Sequence, residues 1–309
     1  MTSPPSVSVV IPARNAGATI ARQLHALDTQ AYEPGFEIVV ADNASADGTR
    51  RAVASTELRH TVRVVDAGQH PGAAWARNVG ARAATGELLL FCDADDVVDA
   101  HWVCELVSAA CAHPGALLAG NVLHDRLNPH EVARAYSTLT DDEIRLRAEA
   151  APRFAPATAP FAGFLPTAPG NSFGITREQY LSLGGMRLTF GAEDTDLAWR
   201  AQLHQIPLVS VPRAFVHYQL KHSVKSIMNQ QRIQQRERIH LWTLYREHGM
   251  TGPSFRHSLA QLVRQGPRVA LPTSSREERL SAAWLLGAHV GALEGIVRYR
   301  VLPGHGADL

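Results

Sequence analysis

Four short apolar runs in the first hundred residues alternate with helical patterns, and this rhythm constrains the fold more than any other feature of the chain. The runs that predict strands cover residues 7–11, 36–41, 62–65 and 88–91. The helices between them are predicted at 16–29, from about 49 onward and at 71–84. Successive strand–helix–strand units predict an α/β fold, in which a mostly parallel sheet has helices on both faces.

The segments that follow the four strands mark the predicted edge of a binding site, because ligands of such sheets bind beyond the carboxyl ends of the strands. These polar segments cover residues 12–15, 42–45, 66–70 and 93–96.

After residue 100 the pattern becomes less regular. The further elements that we expect are helices at 102–112 and 193–205 and strands at 117–122, 171–176 and 208–211. Residues 151–170 are dense in Pro, Ala and Gly and predict a long loop beside the site. From about residue 221 the chain turns helical, with helices also expected at 254–264 and 276–299. We therefore predict a main domain at 1–220 and a helical C-terminal region at 221–309.

Composition sets the class of protein. The chain has 309 residues, 45% of them hydrophobic, which is enough for one large domain with an appendage. A net charge of +1 gives no basis for nucleic acid as a main partner. Three cysteines without a CxxC pair predict a reduced, cytoplasmic setting. The N-terminus lacks a basic start and a long apolar run, so no signal peptide is expected.

Asp93 and Asp95 directly follow the fourth apolar run and predict a metal site. Carboxylates this close together repel one another unless a cation or strong donors neutralise them. Oxygen ligands that leave positions open for phosphates suit Mg²⁺ or Mn²⁺, which would stabilise charge on a leaving nucleotide. The alternative is that Asp95, Asp96 and Asp99 only cap the next helix.

A second acidic cluster, Glu193 and Asp194, opens the predicted helix at 193–205. Acidic residues are favoured in a first helical turn, so capping explains part of the pattern. Glycines precede the cluster, as expected for a loop that forms a site. A carboxylate at a helix start is also a candidate general base that could remove the proton of an acceptor hydroxyl.

Two further residues are weaker candidates. Most surface Arg and Lys residues are only solvated. Arg77, on the helix before the acidic strand, is the one basic residue that we expect to contact a diphosphate. His217 follows the strand near 208–211 and could complete a metal site, although a lone histidine is more often structural.

Four blocks of the sequence resemble the family 2 glycosyltransferases with the GT-A fold, in their order and spacing. The blocks read VSVVIPARNAGATI, VVADNASADGTR, GAAWARNVGARAATGELLLFCDADD and LGGMRLTFGAEDTDLAWR. The resemblance covers about residues 6–220. It implies an inverting transferase that moves a sugar from a nucleotide diphosphate donor to an acceptor hydroxyl and uses Mn²⁺ or Mg²⁺.

The resemblance also implies roles for single residues. Those implied to line the donor pocket are Pro12, Ala13, Arg14, Asn15, Asp42, Arg77, Asn78, Asp93 and Ala94. Asp93 and Asp95 would be the metal-binding pair, with Asp95 as the direct ligand and His217 completing the site. Asp194 would be the catalytic base, with Glu193 beside it.

Two departures from the family pattern bear on the donor. The first block reads Ala13-Arg14-Asn15 where relatives often have an aromatic residue before Asn, and the second has Asp42-Asn43 where Asp-Asp is frequent. Relatives that transfer deoxysugars such as rhamnose often carry Asp-Asn there. UDP-, dTDP- and GDP-linked donors therefore stay open, and the acceptor is not indicated.

Three other functions fit the sequence less well. A sugar-nucleotide nucleotidyltransferase would need a Gly-rich basic loop after the first strand, and IPARNAGAT has too little glycine. A nicotinamide dehydrogenase would need GxGxxG after a strand, which the sequence lacks. A catalytically silent protein that binds carbohydrate or nucleotide would have no use for two acidic clusters.

An apolar stripe dominates the last predicted helix. It consists of Trp284, Leu285, Leu286, Val290, Leu293, Ile296 and Val297, with Arg298 and Arg300 at its end. The stripe predicts packing against the main domain or a second subunit, as in a homodimer. Peripheral attachment to the inner face of a membrane is the alternative. Interruptions at His289 and Glu294 lead us to expect a stretch too short to span a bilayer.

Overall fold

A computed structural model describes residues 3–187, 191–252, 254–270 and 275–301. These residues form a mixed nine-stranded sheet with the order β3-β2-β1-β4-β8-β6-β9-β5, and β7 pairs with β9. The strands are β1 (Val7–Ala13), β2 (Glu37–Asp42), β3 (Val62–Asp66), β4 (Leu88–Phe91), β5 (Val97–Val98), β6 (Leu117–Leu123), β7 (Ala155–Pro156), β8 (Phe173–Thr176) and β9 (Leu208–His217).

Half of the sheet has the predicted parallel order. Strand β1 pairs in parallel with β2 and β4, and β2 pairs in parallel with β3. Strands β1, β2 and β4 are buried almost throughout, which explains why they appear in the sequence as continuous apolar runs. Beyond β4 the sheet changes direction, because β8 runs antiparallel to both β4 and β6. The sequence predicted β8 as a strand but not its direction.

The helices follow the predicted positions closely in the first half of the chain. They are α1 (Ile20–Asp28), α2 (Thr49–Ser55), α3 (Ala73–Ala83), α4 (Trp102–Ala112), α5 (His130–Tyr136), α6 (Asp141–Ala150), α7 (Arg177–Ser182), α8 (Glu193–Leu203), α9 (Val224–Tyr245), α10 (Phe255–Ala270) and α11 (Arg276–Ile296). A 3₁₀ turn (Arg246–His248) follows α9, and a π-helical turn (Val297–Val301) follows α11. The helices α5, α6 and α7 were not predicted from the sequence.

Helices cover both faces of the sheet, as predicted. On one face Leu24 of α1 and Trp102 of α4 pack in the same apolar cluster as alternate strand residues. On the other face Tyr180 of α7 and Leu197 of α8 do the same. Strands β1, β2 and β4 bury side chains on both faces, so the sheet has a core on either side.

In the C-terminal region α11 packs against α9 through small residues. Gly287, Gly291 and Gly295 lie on the buried side of α11 at every fourth position. A Cβ atom at Gly291 would lie 2.0 Å from the carbonyl oxygen of Arg232, and one at Gly287 would lie 2.2 Å from that of Met228. The two helix backbones therefore approach more closely than larger residues would allow. Large residues of the predicted stripe flank this contact, many of them half-buried.

The stretch Arg276–Val301 is long and apolar enough to cross a membrane by length and composition, and half of its most apolar window is buried inside the protein. The stretch that was expected to be too short to span a bilayer covers residues 282–297, and the structure extends the apolar helical stretch beyond it at both ends. Its packing against α9 and α5 is nevertheless that of a core helix.

Candidate active site

Two cavities open beyond the carboxyl ends of the parallel strands, and Asp93 lines both of them. The smaller, of about 380 Å³, lies over the turn after β1 and is called the turn cavity below. The larger, of about 510 Å³, contains Glu193 and Asp194 and is called the acidic cavity. The two acidic clusters that the sequence singled out thus meet in one continuous region.

The turn cavity contains most of the residues predicted to bind the donor. Those that line it are Pro12, Ala13, Arg14, Asn15, Asp93, Ala94 and Asp95. The turn after β1 is held to the loop after β2 by two hydrogen bonds. The side-chain oxygen of Asn15 accepts the backbone N–H of Ala46 at 2.9 Å, and the backbone N–H of Asn15 donates to the Ser45 hydroxyl at 2.9 Å. The edge of the sheet therefore places these segments around one space.

The prediction for Asp42 needs correction. Its carboxylate is buried, pairs with Arg50 and accepts the backbone N–H of Ser45, and it is not among the residues that line the turn cavity. The next residue, Asn43, lines the cavity instead, and its side-chain oxygen accepts the N–H of Gly72 at 2.9 Å. Gly72 has a φ of 122°, a conformation that favours glycine, and it begins α3.

A buried glutamine positions the turn that contains Asp93 and Asp95. The Gln23 amide on α1 donates to the carbonyl of Asp93 at 3.1 Å and accepts the N–H of Val98 at 3.0 Å. Gln23 was not among the residues predicted from the sequence. Its signal is a polar residue within the apolar side of α1, between Ile20 and Leu24. This side chain fixes both ends of the acidic turn.

Asp93 and Asp95 fit a divalent cation by the chemistry of their donors. Both line the turn cavity, and their oxygens suit Mg²⁺ or Mn²⁺. Burial and the neighbouring Asp93 raise the pKa of Asp95, a cost that a cation would relieve. Within the described ranges no group of three or more His, Cys, Asp or Glu side chains is arranged to hold a metal. The nearby Asp96 is satisfied by Asn171 and by the N–H of Gln219.

The geometry does not support His217 as a metal ligand. Its ring nitrogens lie 3.8 Å from carboxylate oxygens of Asp99 and Asp141, and it lines neither cavity. Burial, together with Arg126 and Arg145, lowers the pKa of His217 to about 4. Strand β9 extends to His217 and pairs it with Val97 of β5. The residue after the strand that does reach the turn cavity is Gln219.

Asp194 and Glu193 lie side by side in the acidic cavity but have different partners. The Asp194 carboxylate accepts the N–H of Gly170 at 3.0 Å, and a Cβ atom at position 170 would lie 2.9 Å from the same oxygen. The loop at 151–170 therefore lies beside the site, as predicted, and approaches Asp194 through a glycine. Glu193 instead accepts from Arg77 at 3.3 Å. Burial and Asp194 raise the pKa of Glu193, and Arg77 opposes them.

Arg77 joins the two acidic clusters. Its guanidinium is 4% exposed, donates to Asp93 at 2.7 Å and to Glu193 at 3.3 Å, and lines the acidic cavity, not the turn cavity. Burial favours its neutral form, but Asp93, Glu193 and Asp194 together raise the pKa of Arg77. Arg77 was predicted to contact a diphosphate, but its guanidinium instead contacts the carboxylates of Asp93 and Glu193.

Asn78 lines neither cavity and contributes to the site through its hydrogen bonds to neighbouring residues. Its side chain donates to the carbonyl of Met186 at 2.7 Å and accepts from the Tyr180 hydroxyl at 2.7 Å and from the Met186 N–H at 2.8 Å. All of these contacts are buried, so the amide holds the segment that leads to Glu193.

Asp196 anchors the start of α8 in a similar way. Its buried carboxylate accepts from Arg200 at 2.8 Å, from Arg187 at 3.2 Å and from the hydroxyl of Tyr245 at 2.7 Å. Tyr245 belongs to α9, so the helix with the acidic cluster is tied to the C-terminal region. That region also lines the acidic cavity directly, through Gln234 and Arg238 of α9.

Comparison with known proteins identifies the family. The model of glycosyl transferase family 2 matches residues 8–165, and the chain belongs to this family. It is 32% identical over 234 residues to validoxylamine A glucosyltransferase from Streptomyces hygroscopicus subsp. limoneus, which is 66% of this chain and 49% of that protein. Glycosyltransferase AglE from Haloferax volcanii is 30% identical over 143 residues, 46% of this chain and 47% of AglE. The chain spans about half the length of these curated relatives.

Solved structures show that the fold is GT-A. Mannosyltransferase PcManGT from Pyrobaculum calidifontis, in complex with GDP-Man and Mn²⁺, aligns with a TM-score of 0.62 at 21% identity, covering 94% of this chain and 88% of that one. TarS 1–349 from S. aureus, in complex with UDP, aligns with a TM-score of 0.52 at 15% identity, covering 98% and 94%. The α/β fold predicted from the sequence, with its helical C-terminal region, is confirmed.

Proposed function

We propose that this protein is a metal-dependent, inverting glycosyltransferase that moves a sugar from a nucleoside diphosphate to an acceptor hydroxyl. The observation that carries the proposal is the position of Asp93, which lines both the turn cavity and the acidic cavity. A donor in the first cavity and an acceptor in the second would meet beside this carboxylate. Holding two reactants in one geometry is a large part of such catalysis.

In this proposal the turn cavity binds the nucleoside diphosphate. Its wall combines the loop after β1, Asn43 and the start of α3 at Gly72 and Ala73. Backbone N–H groups at a helix start attract phosphate oxygens. A solved neighbour with the same fold holds GDP-Man and another holds UDP, which supports a nucleotide sugar as donor and leaves its base open, with dTDP as a third candidate.

Asp93 and Asp95 would hold Mn²⁺ or Mg²⁺ in this protein. When bound, the cation supplies positive charge against the diphosphate leaving group. The chain's own residues prepare that site. Gln23 fixes the acidic turn, and Arg77 holds Asp93 in place with a charged hydrogen bond.

We assign the general base to Asp194. Glu193 is bound to the Arg77 guanidinium, whereas among the described residues the Asp194 carboxylate accepts from the backbone and hydroxyl donors of Gly170 and Thr195 and forms no ion pair. Asp194 can therefore meet an acceptor hydroxyl without first releasing a cation. Asp194 is therefore the better group to accept the proton of an acceptor hydroxyl as the new bond forms, and Glu193 helps to position Arg77.

The test is incubation of the purified protein with Mn²⁺ and a panel of UDP-, dTDP- and GDP-sugars. Consumption of one donor that is lost on chelation and in Asp93→Ala and Asp194→Ala supports the proposal. Binding of a nucleotide sugar without any turnover would favour the catalytically silent binding protein. Formation of a nucleotide sugar from a nucleoside triphosphate and a sugar phosphate would favour the nucleotidyltransferase.

For localisation we propose a cytoplasmic protein that contacts the inner face of the membrane through α10. Phe255, Leu259 and Val263 recur every fourth residue and are 50%, 49% and 74% exposed. The sequence of α10 contains arginines and no acidic residue. Exposed apolar residues flanked by arginines match the surface of a bilayer with anionic lipids. This places the membrane contact on α10 instead of the stripe predicted on α11.

Flotation with vesicles that contain phosphatidylserine tests this contact. We expect the wild type to float with them and Leu259→Glu to stay in the soluble fraction. Leu146→Glu is the matched control, because Leu146 is 64% exposed on α6, and it should float like the wild type. If the protein does not float with the vesicles and sediments as a dimer, the exposed face of α10 contacts a second copy instead.

A further inference from the structure

Arg238 differs from every other charged residue of the acidic cavity. It lines the cavity from α9, and no hydrogen bond or ion pair joins it to another described residue. Arg77, in the same cavity, has two carboxylate partners. One cavity thus contains one arginine whose charge is matched by the protein and one whose charge is not.

The Arg238 guanidinium is nevertheless held in place. Its Cζ atom lies 4.4 Å from the centre of the Phe161 ring, in the loop at 151–170. A guanidinium on an aromatic face keeps its N–H donors available at its edge. Gln234, one turn earlier on α9, lines the same cavity. Arg238 and Gln234 therefore present donors from α9 to the cavity that also contains Glu193 and Asp194.

The pKa of Arg238 also indicates that its charge is not fully compensated by the protein. Burial lowers the pKa of Arg238, and the attraction of Asp194 offsets this only in part. Arg238 is half-buried, and a cation that has lost part of its solvation without gaining a matched partner carries a cost. The cost falls when an anion from outside the protein enters and pairs with it.

We propose that Arg238 binds an oxyanion of the acceptor, a phosphate or a carboxylate, and so selects an anionic acceptor. This inference rests on the proposed function, since it assumes that the acidic cavity receives the acceptor. The acceptor is the better choice than the donor because the proposed function already gives the donor's diphosphate a place in the turn cavity, at the helix start beside Gly72 and Ala73. The bidentate geometry of a guanidinium suits either kind of oxyanion.

The experiment follows the guanidinium resonances of the ¹⁵N-labelled protein by NMR, with UDP or GDP and Mg²⁺ present and again without them. Inorganic phosphate, acetate and neutral glycerol are added in turn. Arg238→Gln assigns the resonance of Arg238. We expect phosphate or acetate to shift this resonance to saturation, glycerol to leave it in place, and the anion with the tighter saturation to identify the kind of acceptor group.

Two variants sharpen the result. Arg238→Gln should weaken the saturable anion binding about 10- to 100-fold, the usual loss for a hydrogen bond to a charged group. Lys225→Gln is the control, because Lys225 is an exposed cation on the same helix, and it should leave the binding unchanged.

Two outcomes would overturn the inference. One is an Arg238 resonance that neither anion moves, and the other is anion binding that persists unchanged in Arg238→Gln. Failure of every nucleoside diphosphate to bind the wild type would instead count against the proposed function. The titrations without nucleotide would still test Arg238 in that case.

Discussion

The two cavities that meet at Asp93 are built in different ways. The turn cavity is formed almost entirely by residues 12–95, from loops that directly follow parallel strands. The acidic cavity draws on β6, the loop at 151–170, the start of α8 and the C-terminal helix α9. The first is thus a property of one repeated supersecondary unit, and the second requires segments distant in the chain. A family can keep the first cavity while the second changes with each substrate.

The comparison is tested most strongly by Asp194→Asn, which removes the proposed base from the acidic cavity alone. We expect turnover to fall about 10³-fold, because general base catalysis contributes roughly 10²–10⁴. Binding of the nucleoside diphosphate in the turn cavity should stay unchanged. Glu193→Gln should lose less, since that residue acts through Arg77. Equal losses in the two variants would contradict the assignment of Asp194.

The next largest effect is expected on stability, in Arg77→Gln. This change leaves Asp93 and Glu193 as half-buried carboxylates without their cation, which costs about 3 kcal/mol of unfolding free energy. Urea unfolding measures it. Arg63→Gln is the control, because Arg63 is 40% exposed in its pair with Glu37 and should lose less than about 1 kcal/mol. Similar losses in both variants would show that Arg77 does not hold the two cavities together.

A third prediction separates the metal-binding aspartate from the histidine that the sequence suggested. Asp95→Asn should raise the Mn²⁺ concentration needed for half-maximal turnover by about tenfold or more. His217→Gln should leave that concentration unchanged, because His217 lies against Asp99 and Asp141 outside both cavities. A metal requirement that rises in the histidine variant would restore the original interpretation.

Gly291→Ala tests whether the acidic cavity depends on the packing of α9. The added methyl group would meet the backbone of Arg232, and we expect a loss of about 1–3 kcal/mol in unfolding free energy. Gly48→Ala, where nothing lies within 4 Å, should cost little. If α9 shifts, acceptor use should suffer more than nucleotide binding. An unchanged stability would mean that α9 and α11 separate easily.

The smallest effect is a pH dependence from His217. Its pKa is lowered to about 4 from an ordinary 6.5, so the unfolded chain binds its proton first as the pH falls. The groups that face it are Asp99, Asp141, Arg126 and Arg145. Stability should therefore be full above pH 6.5 and decrease by about 1–2 kcal/mol between pH 7 and pH 5. Denaturant midpoints at the two pH values measure this, and His217→Gln should show a smaller difference.

The residues of the site differ in how far the sequence could predict them. Asp93, Glu193 and Asp194 were predictable because closely spaced carboxylates repel one another unless a cation or strong donors neutralise them, and the structure brings them to adjoining cavities. Asp42, Asn78 and His217 belong to the same motifs but face away from both cavities or are satisfied by neighbouring residues. The side-chain direction at a loop or strand end depends on what packs against it, which a motif does not state.

The sequence by itself determined the parallel strands, their helices and the acidic turn, because continuous apolar runs and strand-end loops are local features that hydrophobic periodicity reports directly. Only the tertiary structure decided the antiparallel strand β8, the pairing of Arg77 with two acidic clusters, the glycine contact between α9 and α11, and the unmatched charge of Arg238. These features arise between segments far apart in the chain, where burial and charge compensation depend on partners that no local pattern encodes.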